Sequence, residues 1–194
     1  MNSDTNTMLI ALAVIVVIAL ALWTFMRKRQ SEHLSQRFGP EYDRTVNEMG
    51  SREKAEAELL ARKKRVDDLD IVPLQPAEAQ RFNQEWRALQ ARFVDNPRGV
   101  LVEADMLVRE LMQKRGYPMG DFERRAADIS VHHAGVVDHY RAAHDLTERD
   151  RRGEVDTEGM RQAVIHYRAL FAELLEVDRP QPPNQPHPEM RTQS

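Results

Sequence analysis

The chain has 194 residues, 41% of them hydrophobic and 30% charged, with a formal net charge of −3 and no cysteine. Without cysteine there can be no disulfide, no thiolate metal centre and no cysteine nucleophile. The near-neutral balance argues against a general nucleic-acid coat.

The first element is apolar. From Met8 to Met26 there are 19 residues with no charge, and only Thr24 is polar. As a helix this run spans about 28 Å, close to the roughly 30 Å hydrocarbon core of a bilayer. Its strongly apolar residues predict an insertion free energy of about −5 kcal/mol. A cleavable signal peptide, cut near Ala19-Leu20-Ala21, is the rival reading. It fits less well, because the tail before the run carries Asp4 and no Lys or Arg, and the run exceeds the usual apolar region of about 7 to 15 residues. A retained anchor is therefore expected. Arg27, Lys28 and Arg29 follow at once. Positive charge stays in the cytoplasm, so residues 1–7 are expected outside a bacterial inner membrane and residues 27–194 inside. Trp23 suits the interface just before the cations. The lipid bilayer is thus the first expected partner, through residues 8–26.

Residues 27–70 read as a basic cluster and a charged stalk helix. Gly39-Pro40 breaks the chain and lets a new helix start. In the stalk, Leu59, Leu60, Val66 and Leu69 make a narrow apolar stripe, which predicts a solvated helix or a coiled-coil face. Arg62, Lys63, Lys64 and Arg65 form a basic knot that could touch anionic lipid or nucleic acid. The segment holds 11 basic and 10 acidic residues, which favours a locally compensated face over nucleic-acid binding.

Pro73 and Pro76 separate the stalk from an expected domain over residues 71–178. Ala79, Phe82, Trp86, Leu89 and Phe93 recur at spacings of three and four, the mark of a helix with one buried face. Asn96 is a plausible N-cap, with Pro97 as the first residue of the next helix. Leu101, Ala104, Val108, Leu111 and Met112 line that helix until Gly116 and Pro118 stop it. A short helix is expected over residues 121–130 with Phe122, Ala126 and Ile129 inward, and a further one from about His133 to Arg152. The last starts near an N-capping Thr157 and turns Met160, Val164, Tyr167, Phe171 and Leu174 to one face. No alternating strand pattern occurs outside the apolar run. The fold class is all-α: an N-terminal transmembrane helix, a stalk helix and a compact bundle of about five helices. Five prolines in "DRPQPPNQPHPEMRTQS" predict a disordered tail over residues 179–194 with polyproline-II character.

Several stretches, among them "RFGPEYDRTV", "EWRALQARFVDNP", "DFERRAADISV" and "HYRALFAELLE", resemble a bacterial family of uncharacterised proteins. Its members have one N-terminal membrane helix and a soluble helical domain. The resemblance covers roughly residues 36–176 and implies architecture, with no activity, cofactor or catalytic residue attached.

One polar constellation stands out. On a single helix, His132, His133, His139 and His144 would share the side of Val136, Tyr140 and Ala143. Such a cluster invites a metal site or a pH sensor. Yet along one helix His132 and His139 lie about 10 Å apart, too far for one ion, so hydrogen-bonded histidines are the expectation and no metal is assigned. No phosphate loop, nucleophile elbow or dinucleotide fingerprint is present, so no cofactor or catalytic residue is assigned and the reading leans away from an enzyme. Ile165, Ala169 and Ala172 form a second apolar stripe on the last helix, suited to central packing or to a partner. The expected role is a membrane-anchored module for protein contact or self-association. The alternative is a tethered enzyme or ligand-binding domain with a pocket between helices.

Overall fold

The helix that begins in the apolar run does not stop at the basic cluster. In a computed structural model, which describes residues 3–175 without the side chains of residues 3–11 and 13, α1 runs unbroken over Ser3–Phe38. Gly39, at φ 49°, ends it, and Pro40 opens α2, Pro40–Met49. A second left-handed glycine, Gly50, ends α2 before α3, Arg52–Asp67. Five further helices follow: α4 Pro76–Ala91, α5 Pro97–Lys114, α6 Phe122–Ile129, α7 Val137–Arg151 and α8 Thr157–Leu175. The described residues are all-helical, and α4 to α8 form the five-helix bundle. No helix among the described residues is long and apolar enough to cross a membrane. The proline-rich tail, 179–194, lies outside the described residues, as do the last three positions of the expected domain.

Two cores hold the molecule together. The larger one fills the bundle with Phe82, Trp86, Leu101, Val108, Tyr140, Tyr167 and Phe171. Trp86 and Phe171 stack with ring centroids 4.5 Å apart. Burying these rings supplies most of the stabilisation available to such a domain, at about 25 cal/mol per Å² of apolar surface. A polar chain threads the same core: Tyr167 donates to Asp105 at 2.9 Å and meets the Thr147 hydroxyl at 3.2 Å. Buried hydroxyls carry such partners because an unmet polar group costs about 1–3 kcal/mol. At the end of α5, Gly116 has φ 93°, and a Cβ there would lie 2.3 Å from the carbonyl oxygen of Asp70. This close approach seats residues 68–75 against α5, where Val72 N–H donates to the Arg115 carbonyl at 3.0 Å.

The smaller core revises the stalk expectation. Leu34, Phe38, Tyr42, Leu59 and Val66 are buried together with Val131, from the turn after α6. The end of α1, α2 and α3 are therefore a packed three-helix unit seated on the bundle. The stripe on α3 is narrow because polar residues with buried partners share its inner face: Glu56, which accepts from the Tyr42 hydroxyl at 2.8 Å, and Arg62, which pairs with Glu41, are buried as well. Glu41, fully buried, accepts from Arg44 (2.9 Å), Arg62 (2.8 Å) and Arg141 of α7 (3.2 Å). Arg65 donates to the buried Asp128 of α6 at 2.9 Å. Two members of the basic knot, Arg62 and Arg65, are taken up inside the fold and Lys63 pairs with Asp67 at the surface, while Lys64 stays exposed, so the knot presents no cationic face of four free side chains.

Candidate functional site

The α4–α5 hairpin leaves a long groove on the outside of the bundle. Phe82, Trp86 and Leu89 face α4 inward, and Leu101, Ala104, Val108 and Leu111 do the same for α5. Their neighbours on the outer sides of the two helices then flank an open channel of about 590 Å³. Its floor is apolar, built from Ala88, Leu89, Met106, Leu107 and Met119. Met106 is 57% exposed and Met119 39%, and Val102, one turn before Met106, is 44% exposed. Ion pairs form the rim: Arg92 with Glu103 at 3.1 Å, and Arg81 with both Glu85 and Glu110 at 2.8 Å. Flexible thioethers on an apolar floor inside a charged rim suit an amphipathic helix, whose apolar stripe fills the floor while its polar flanks meet the rim.

A second cleft, of about 370 Å³, lies over the junction of α2, α3 and α6 and is lined by charge. Its groups satisfy one another. Arg44 meets Glu48, Arg62 meets Glu58 at 3.6 Å, and Arg65 meets Asp128. Burial pushes the Glu41 carboxyl up, but its hydrogen bond from Arg44 and the nearby charges of Arg141, Arg44 and Arg62 more than reverse this, leaving it below the ordinary carboxylate value. That is the electrostatic signature of a structural clamp as well as of an active site. Its cations and acids are thus paired with one another, with Arg62 Nε and one carboxylate oxygen of Asp128 buried without a hydrogen-bond partner.

The histidines do not gather. His132 and His133 fall in the turn between α6 and α7, because the helix expected from His133 starts only at Val137. Val131, in that turn, is buried in the smaller core. Tyr117 reaches His132 Nδ1 at 3.4 Å, while His133 Nδ1 lies 3.2 Å from Glu173. His144 stacks on Phe122 with centroids 3.6 Å apart. His139 instead meets His166 of α8, Nδ1 to Nδ1 at 2.9 Å, so one ring must donate and the other accept. Among the described residues no group of three or more His, Asp or Glu is placed to hold a metal. Burial, and for His166 also the neighbouring His139, lowers the pKa of His132, His133, His144 and His166.

The second stripe of α8 faces outward. Ile165 is 44% exposed, Ala172 is exposed and Ala169 is half-buried. At the other end of the molecule the residues assigned to topology are on the surface of α1. Arg27 stacks over Trp23 at 5.3 Å and pairs with Glu53 at 3.3 Å, Lys28 lies 4.0 Å from Glu32, and Arg29 stacks over Phe25 at 4.7 Å. Sequence reasoning missed the groove residues Met106 and Met119 and the exposed Val102 one turn before Met106 on α5. Their signal was present: Val102 and Met106 are apolar, four residues apart, and off the buried face of α5.

No protein-family description, curated protein or solved structure matches this chain.

Proposed function

We propose that this protein is a single-pass, membrane-anchored docking module of the bacterial inner membrane, with its N-terminus outside and its helical domain in the cytoplasm. In this reading the domain captures an amphipathic helix of a partner protein in the α4–α5 groove. The observation that carries it is the apolar floor with Met106 and Met119 open to solvent inside a rim of ion pairs. Anchoring raises the local concentration of the domain, so a modest groove suffices for capture. Support for the anchor comes from α1. From Leu12 to Met26 the large apolar side chains described are at least half exposed on every face, for example Ile15 at 62% and Val17 at 64%. A helix apolar all round needs an apolar surround. That described stretch rises only about 21 Å, and Met8 to Ala11 complete the length of a span.

The alternative, a tethered enzyme or ligand-binding domain, is less well supported, because the polar cleft is internally paired and the histidines are dispersed. The test is capture from solubilised membranes with the full-length protein and its Met106→Asp, Met119→Asp double variant, followed by quantitative mass spectrometry. Both sites are exposed, so the variant should melt within about 0.5 kcal/mol of the parent. Partner recovery should fall at least tenfold. Equal recovery by both proteins refutes the groove. A second copy of this chain among the captured proteins would identify self-association. Reporter fusions at Ser194, active on only one side of the membrane, test the topology.

A further inference from the structure

The three-helix unit fixes which part of the domain lies beside the anchor. Helices α1 and α3 run side by side in the same direction. Arg27 pairs with Glu53 at 3.3 Å. One turn further on, Tyr42 lies 3.2 Å from Ser31 and donates to Glu56 at 2.8 Å. At the far end Phe38 and Val66 share the smaller core. The start of α3 is therefore level with the first residue after the apolar run, and α2 must return from Gly39 to that level before α3 can begin. The turn between them, Met49 to Lys54, is brought back beside the point where α1 leaves its apolar stretch.

The chemistry of this turn suits that place. Met49 is 42% exposed and packs in neither core. Arg52 and Lys54 are exposed. Arg27 and Lys28 already have Glu53 and Glu32, which leaves Arg29, Arg52 and Lys54 against the single carboxylate of Glu56, whose hydrogen bond comes from the neutral Tyr42 hydroxyl, a net surplus of positive charge here. Between α1 and the start of α3 lies a cleft of about 460 Å³, where Arg27, Lys28 and Arg52 are balanced by Glu32, Glu53 and Glu56, so the phosphate-binding charge must lie at the outer rim of the turn rather than in the cleft. A phospholipid headgroup layer is roughly 6 Å deep on each side of the hydrocarbon. It offers phosphate to cations and a glycerol–acyl boundary to Trp and Met side chains.

We infer that the turn from Met49 to Lys54 lies in the headgroup layer and binds the phosphates of anionic phospholipid, giving the domain a second point of attachment beside α1. This rests on the anchor reading above. The two contacts together hold the domain at one tilt to the bilayer, whereas a lone helix would leave it free to swing.

The absence of cysteine makes the test direct. Single Met26→Cys, Met49→Cys and Asp68→Cys variants of the full-length protein are labelled with a small fluorophore. They are then reconstituted into phosphatidylglycerol–phosphatidylcholine vesicles that carry a nitroxide quencher on the headgroup. Labels at positions 26 and 49 should be strongly quenched. The label at position 68, about 22 Å further along α3, should be quenched several-fold less. Adding Arg52→Glu and Lys54→Glu should at least halve quenching at position 49 and leave position 26 unchanged, with the helical circular dichroism retained. A label at 49 as dark to the quencher as that at 68, with 26 quenched, overturns the inference and spares the anchor. No quenching at 26 removes the anchor reading and the inference with it. Charge reversal without effect at 49 overturns phosphate binding by Arg52 and Lys54.

Discussion

Glu41 is the strongest single test of how the three-helix unit of α1, α2 and α3 is joined to the bundle. Its carboxylate is fully buried and is the common acceptor for Arg44 of its own helix, Arg62 of α3 and Arg141 of α7. Glu41→Gln keeps the shape and removes the charge, so three guanidiniums converge on a neutral amide. Breaking a buried ion pair from one side costs about 3–5 kcal/mol, mostly because the remaining charge is left uncompensated. The structure points to the lower end. Arg44 is 28% exposed and keeps Glu48, and Arg141 is 15% exposed and keeps Glu123 at 2.7 Å. Arg62, at 6% exposed, keeps Glu58 at 3.6 Å as its one carboxylate and the Ser130 hydroxyl at 3.2 Å. A loss of about 3 kcal/mol is therefore expected, which lowers the melting temperature of a protein this size by about 6–12 °C. Thermal unfolding of the full-length protein in detergent, followed by circular dichroism, reads it. Adding Arg62→Met to a Glu41→Met variant should recover part of the loss, since apolar replacement of both partners removes the stranded charge. A melting temperature for Glu41→Gln within about 2 °C of the parent would refute the clamp.

Two further outcomes follow from the core and from the histidines. Trp86→Ala removes the ring that stacks on Phe171 and is only 4% exposed, so it should cost about 3–5 kcal/mol; an unchanged denaturation midpoint would show that the ring does not carry the bundle core. For pH, the imidazoles of His132, His133, His144 and His166 sit below their ordinary value of 6.5 in the folded chain. Below pH 6.5 the unfolded chain binds protons that the folded chain resists, so stability is full above that value and falls as the pH drops beneath it. Glu41, held below 4.5, adds a second loss beneath that pH. A melting temperature that stays flat or rises between pH 7.5 and 5.5 would contradict this sign.

The bundle was legible because its helices obey a simple rule: apolar residues recur every three or four positions on one face. Ala79, Phe82, Trp86 and Leu89 are all buried, and Asn96 caps α5 as its spacing implies, accepting from Gly99 N–H at 3.0 Å. At α8 the cap moved by one residue, since the side chain of Asp156 rather than Thr157 accepts from the Gly159 N–H. The stalk was misread for a physical reason. Periodicity arguments register apolar side chains, whereas half of the buried residues of α2 and α3 are polar: Glu41, Thr45, Glu56 and Arg62. Charged residues become interior only when partners distant in sequence meet them, and Glu41 and Arg141 are 100 positions apart. The same blindness to long-range contact hid the His139–His166 pair and let a helix be extended through residues 133–136. The groove was half legible: Val102 and Met106 stand out as apolar residues on the wrong side of α5, but Met119 joins them only through the fold.

The unbroken run of α1 into the smaller core has a consequence for chain length. Phe38 must reach its socket beside Val66, and no loop between Arg27 and Leu34 can take up slack. One residue added there would turn the greasy rod about 100° against everything downstream and lengthen the strut by about 1.5 Å. The segment works as a spline rather than a tether, and its residue count is as constrained as its composition.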